Sequence, residues 1–93
     1  MTPPPTAAAV PRLHTKARLQ RDEVRGRDVL LYPEGLVGLN PTGAEILALC
    51  DGVRSLADIV ATLERRYDAS GLERDVAAFL DGLAAKGLVR YGP

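Results

Sequence analysis

Reactive side chains and long apolar runs are scarce in this chain, and each shortage removes a class of function. Cys50 is the only cysteine, so an internal disulfide cannot form and a thiolate metal cluster is not supported. Placed after Leu49 at the end of an apolar stretch, it reads as a small buried thiol rather than a nucleophile, since no base stands ready to activate it. His14 is the only histidine; it lies in a proline-rich start, with no second histidine to share a metal. No apolar run approaches the roughly 18 residues of a membrane span. The opening MTPPPTAAAVPRLH lacks the basic and apolar regions of a secretory signal. With one thiol and no span, the expected compartment is the reducing cytoplasm.

Charge of either sign is also missing in excess. Twelve Lys and Arg balance twelve Asp and Glu, a weak platform for nucleic acid or an anionic membrane. The carboxylates are dispersed along the chain, and the nine glycines sit mostly at turns and helix ends rather than in a phosphate-binding loop. Asp51-Gly52 reads as a helix stop. Catalysis by this chain alone is not supported, and no cofactor or metal site is expected.

What is present is one small domain. Ninety-three residues lie near the lower end of what folds without disulfides or metal. Residues 1–14 hold four prolines, Pro3, Pro4, Pro5 and Pro11, and are expected to form a flexible or extended arm. A second reading docks that arm on a neighbouring subunit. The folded domain is expected over residues 15–93.

Short strands come first. KARLQRD alternates, with Ala17 and Leu19 on one face; EVRGR turns around Gly26; DVLLY is a second strand. Pro33-Glu34-Gly35 then predicts a three-residue hairpin with a left-handed glycine in a bulge. LVGLN, Leu36 to Asn40, becomes the third strand of an antiparallel meander, at its edge. Gly38 interrupts that strand, which suits either a bulge or the close approach of another backbone.

Helices follow. The first begins in NPTGAE, where Thr42 and Glu45 have capping-box spacing and Asn40 before Pro41 offers an alternative cap. The second starts after Ser55, with Leu56, Ile59, Val60, Leu63 and Tyr67 in the helical repeat. The third is expected to use Ser70 and Glu73 as a capping box. Its stripe is Leu72, Val76, Phe79, Leu80 and Leu83, and it stops at Lys86-Gly87. LVRY, Leu88 to Tyr91, reads as a final strand or a packed tail. The expected fold is α+β, winged helix-turn-helix-like: a three-stranded antiparallel sheet followed by a three-helix bundle.

Such folds often bind DNA, and a small helix-turn-helix regulator is the alternative reading. The third helix argues against it, because Glu73, Asp75 and Asp81 face Arg74 and Lys86, with no amide side chain for base edges. The basic excess lies upstream, where Arg12, Lys16, Arg18, Arg21, Arg25 and Arg27 outnumber Asp22, Glu23 and Asp28. That stretch suits a solvated strand face, or one that steers an acidic partner. An edge strand can instead take up an extended peptide as a further strand, with an adjacent apolar groove reading its side chains. The same edge and a detachable arm also allow self-association as a homodimer.

LLYPEGLVGLN, TGAEILALCDG, SLADIVATLERRY and DVAAFLDGLAAKGLV, in that order and spacing, closely resemble the PqqD family of pyrroloquinoline quinone (PQQ) biosynthesis, over about Arg12 to Val89. The resemblance implies a peptide-recognition domain for ribosomally made, modified peptides. It would bind the precursor peptide PqqA and present it to PqqE, a radical S-adenosylmethionine enzyme whose clusters and cofactor are its own. It also implies a site: Leu36, Val37, Gly38 and Leu39 on the strand, with a groove wall drawn from Val76, Phe79, Leu80 and Leu83. A domain this small cannot spare its whole apolar stripe. One or two of the four helix residues are therefore expected at the peptide and the others in the core.

Overall fold

A computed structural model describes residues 7–92. The elements are β1 (Val10–Leu13), β2 (Arg18–Asp22), β3 (Arg27–Tyr32), β4 (Gly35–Leu39), α1 (Pro41–Ala48), α2 (Leu56–Tyr67), α3 (Glu73–Ala85) and β5 (Val89–Gly92). The expected α+β, winged helix-turn-helix-like fold is present, with the meander in the order β2-β3-β4. A separate ribbon of β1 and β5 is added to it.

That ribbon corrects the expectation of a flexible arm over residues 1–14. Residues 1–6 lie outside the described residues, but from Val10 the chain is strand, paired antiparallel from Val10 with Gly92 to Leu13 with Val89. The backbone bond from His14 N to Leu88 O, 2.8 Å, sets the alternation of the ladder. Pro11 falls opposite Tyr91 at a position that owes β5 no N–H, so its missing donor costs the ribbon nothing. Further up the chain, the carbonyls of Ala9 and Ala7 accept from Leu56 N and Ala57 N at 2.7 and 3.0 Å. These are the first donors of α2, which have no partner within the helix. Composition suggested an arm because Pro and Ala bury little by themselves. What holds the segment is backbone hydrogen bonding to distant residues together with the burial of Pro11 and the packing of Leu13 on the core, and the partners in those contacts leave no mark in its own sequence.

Local signals account for most helix ends. Asn40 caps α1, its side chain accepting from Gly43 N at 2.7 Å, with Pro41 at the first helical position. The alternative cap is thus the real one, and Thr42 is already helical. Ser55 and Asp58 form a full capping box on α2 at 3.1 Å each way. At the end of α3, Gly87 N reaches Ala84 O and Leu88 N reaches Leu83 O, a Schellman close with Gly87 at φ +77°.

Three local expectations change. The Ser70–Glu73 box does not form: Leu72 is the cap residue, without a side-chain bond. The Glu64 carboxylate of α2 accepts from Leu72 N at 3.1 Å instead, so a tertiary contact replaces the local one. Asp51 does not end α1, which stops at Ala48; its carboxylate accepts from Val53 N and Arg54 N at 2.9 Å each and pairs with the Arg54 guanidinium, while its backbone forms an isolated antiparallel bridge with Arg12. The β3–β4 connection is two residues, since Tyr32 pairs with Gly35. Gly35 takes φ +157°, within the strand register rather than in a left-handed bulge. Pro33 cannot adopt the positive φ of a hairpin-type turn, so the glycine takes up the mismatch.

The core lies where α1 crosses the meander and α2 and α3 close over it. Leu30, Leu47, Leu56, Ile59, Leu63 and Leu80 are fully buried, each worth about 1.5–3 kcal/mol of transfer free energy. Leu80→Ala is expected to lower the unfolding free energy by about 2–5 kcal/mol in a urea titration. Removing residues 1–9 is expected to cost about 1–2 kcal/mol by freeing two donors of α2. An unchanged midpoint for the shortened chain would mean that those two bonds contribute nothing to stability.

Candidate functional site

β4 has β3 on one side and no described strand on the other. Because Tyr32 and Gly35 close a two-residue connection, they form the hydrogen-bonded pair that starts the ladder. Alternation then turns the N–H and C=O of Val37 and Leu39 toward β3, and those of Leu36 and Gly38 toward the open edge. Side chains alternate in the other sense. Leu30 and Val37 share the core-facing side, whereas Val29, Leu31, Leu36 and Gly38 share the outer side. Leu39 is buried and Leu36 remains 45% exposed.

The register runs through Gly38 without interruption, so it is not a bulge. A Cβ there would point out of the sheet and meet the Arg27 guanidinium at 2.7 Å. Nor does the missing side chain clear the edge itself, which lies in the plane of the sheet. What it clears is the outer face.

Asn40 turns the chain straight from the edge strand into α1, and beside that junction a groove of about 350 Å³ opens between the helices. Ile46, Leu63 and Val76 form its floor, Tyr67, Leu72 and Phe79 its walls, and Asn40, Thr42 and Asp75 lie at its rim. Gly43 fits closely under Phe79: a Cβ on it would stand 3.1 Å from the ring and 3.0 Å from Asn40 Oδ1, so either neighbour would have to shift by a few tenths of an ångström. The small residue lets α1 and α3 approach closely enough to define one wall.

The residues singled out from the sequence divide between groove and core. Phe79 is half-buried and lines the groove; Val76 is buried but reaches its floor. Leu80 and Leu83 are 0% and 5% exposed and belong to the core. Sequence reasoning missed Tyr67 and Leu72 as groove walls because both continue apolar stripes that otherwise face inward. Their place at the end of α2 and the start of α3, where neighbouring helices diverge, was the available signal.

Glu45 organises the groove's mouth. Its carboxylate accepts from Arg66 of α2 and from the Tyr67 hydroxyl, rather than serving Thr42 as a capping partner. The Tyr67 hydrogen bond, then Arg66, hold Glu45 below the usual carboxylate range, and the same bond raises Tyr67. Elsewhere, burial and secondarily Asp51 push the Cys50 thiol up to about 12, and it donates to Ile46 O at 3.3 Å. It is a thiol, not a thiolate, at neutral pH. His14 is held rather than loose, with Nδ1 accepting from Lys16 N at 3.0 Å. No group of metal-ligating side chains occurs among the described residues, and no described helix is long and apolar enough to cross a membrane.

An open strand edge that runs into an apolar groove is the arrangement of a domain that recognises extended peptides. The family model for coenzyme PQQ synthesis protein D (PqqD) matches residues 28–89, and the chain belongs to the PqqD family. A protein of Methylococcus capsulatus named PqqA binding protein is 51% identical over 73 residues, covering 78% of this chain and 78% of that one. Its namesake from Pseudomonas aeruginosa is 44% identical over 78 residues, covering 83% and 85%. The solution NMR structure of the PqqD truncation of Methylobacterium extorquens PqqCD is similar at TM-score 0.80 and 37% identity, over 91% of this chain and 93% of that one. It represents a functional, stand-alone recognition element for ribosomally synthesised, modified peptides. The crystal structure of PqqD from Xanthomonas campestris is similar at TM-score 0.58 and 38% identity, over 84% and 89%.

The lowered Glu45 has a pH consequence. Its stabilisation is present above its ordinary value of 4.5 and is lost as pH falls through the depressed folded value. Wild type is therefore expected to lose stability over that interval faster than Glu45→Gln, the two curves converging at the acid end. Parallel acid-unfolding curves would show that the carboxylate contributes nothing at the groove's mouth.

Proposed function

We propose that this chain is a non-catalytic carrier that binds the precursor peptide PqqA and presents it to the radical S-adenosylmethionine enzyme PqqE in PQQ biosynthesis. The observation that carries the reading is the continuity of the β4 edge with the apolar groove. PqqA lies along β4 as a fourth strand, bonded to the outward N–H and C=O of Leu36 and Gly38. Apolar side chains of the peptide beyond that strand enter the groove against Tyr67, Leu72 and Phe79. The names of the curated relatives, PqqA binding protein, support the choice of peptide. Strand addition suits a carrier, because main-chain bonds supply affinity without demanding that the peptide be folded beforehand.

The DNA-binding alternative gains no support from the geometry. Val76, Leu80 and Leu83 of α3 are buried, and its exposed first turn carries Glu73 and Asp75, which repel phosphate.

On adding PqqA, the amides of Leu36 and Gly38 are expected to gain protection from hydrogen exchange. Val37 and Leu39, already bonded to β3, should change little. Saturating peptide that left Leu36 and Gly38 exchanging freely would rule out the edge. Phe79→Ala is expected to weaken PqqA binding on the order of tenfold, about 1.4 kcal/mol, by calorimetric titration. The peptide-loaded protein should co-elute with PqqE in size-exclusion chromatography.

A further inference from the structure

Arg27 stands at the start of β3, opposite Asp22 in the register with β2. An arginine facing an aspartate across antiparallel strands ordinarily pairs with it. Here it does not. Asp22 is engaged by Val24 N and Arg25 N at 3.1 and 3.2 Å, and by Arg25 Nη1 at 3.8 Å. Arg27 forms no ion pair among the described residues.

Its guanidinium extends the other way, across β4. Cζ, Nη2 and Nη1 lie 2.7, 2.8 and 2.9 Å from the place a Cβ on Gly38 would take. The cation therefore occupies the side-chain position of an edge-strand residue, on the outer face, at a residue whose backbone points to the open edge. Only glycine leaves that position vacant. In a strand added to β4, the residue opposite Gly38 has its side chain on the same face. Its Cβ stands about 4.5–5.5 Å from the position the guanidinium fills, within reach of a short carboxylate side chain. A planar guanidinium in that place favours a carboxylate over a neutral amide.

We propose that Arg27 and Gly38 together form a charge-reading position, which takes an aspartate or glutamate of the bound peptide at the residue opposite Gly38. This rests on the β4-edge reading of function and adds to it a register and a residue type. Backbone pairing along β4 is indifferent to sequence and tolerates slippage by two residues. One charge pair over Gly38 selects a single alignment, and so decides which peptide side chains reach the groove.

The test is calorimetric titration of wild type, Arg27→Gln and Arg27→Lys with PqqA and with a series in which each Asp or Glu is singly replaced by Asn or Gln. Arg27→Gln is expected to weaken binding of unmodified PqqA by about three- to tenfold, as for a partly exposed charge pair at an interface. One peptide of the series should show the same loss with wild type and no further loss with Arg27→Gln. Arg27→Lys should keep part of the affinity for the unmodified peptide. Unchanged affinity of Arg27→Gln, or a loss that adds fully to that of every amide peptide, overturns the proposal. Hydrogen exchange at Leu36 and Gly38 separates the two levels. Protection in both wild type and Arg27→Gln means the edge is in use and only the charge pair is being judged. No protection in wild type removes the edge and the charge-reading position together.

Discussion

The hydrogen bond from Gly43 N to Asn40 Oδ1, 2.7 Å, sets the point at which strand becomes helix. Pro41 allows no return to strand pairing, and the Asn40 side chain satisfies a helix donor that would otherwise be unpartnered. The last residue of the edge strand and the first turn of α1 are thereby one residue apart. Everything about the site depends on that adjacency. An extended peptide leaving the β4 edge meets the groove at once, with Asn40 and Thr42 at its rim. A longer linker would let strand and groove move independently, and the peptide would lose the benefit of binding both at a fixed spacing.

A domain of this size has to divide one amphipathic helix between stability and recognition. Leu80 and Leu83 go to the core, whereas Leu72 and Phe79 face the groove, with Val76 at the boundary. The division follows from where α3 has neighbours. Its first turns lie beside the diverging end of α2, and its later turns pack against β5. The Glu45 cluster with Arg66 and Tyr67 acts at the same place, tying α1 to α2 at the groove's mouth. Polar contacts there leave the apolar surface of Tyr67 turned to the groove.

Gly38 illustrates how a residue can be noticed from the sequence while its surroundings are not: the unbroken register excludes the bulge. Its weakness as a strand residue marked it for attention, and a bulge or a close backbone were the explanations open to a one-dimensional reading. The fold adds a third neighbour, the guanidinium of a side chain eleven positions earlier. Arg27 lies across it because antiparallel pairing brings the start of β3 beside the end of β4. The basic surplus upstream was likewise visible in the sequence. Which of those cations would be left without a carboxylate partner was not.

The sequence by itself determined the features whose causes lie within a few residues: the meander with its edge strand, the Asn40 and Ser55 caps, the Gly87 stop and the apolar stripes of the helices. Capping and periodicity act over one or two turns, so the participating residues sit side by side in the chain. Tertiary structure alone decided that residues 7–13 are bound to β5 and α2 and that Glu64 replaces Ser70 at the start of α3. It also decided that Tyr67 and Leu72 wall a groove and that Arg27 fills the space above Gly38. Each depends on contacts between separate elements, through backbone donors or side-chain directions that any sequence could supply, so only the folded arrangement selects among them.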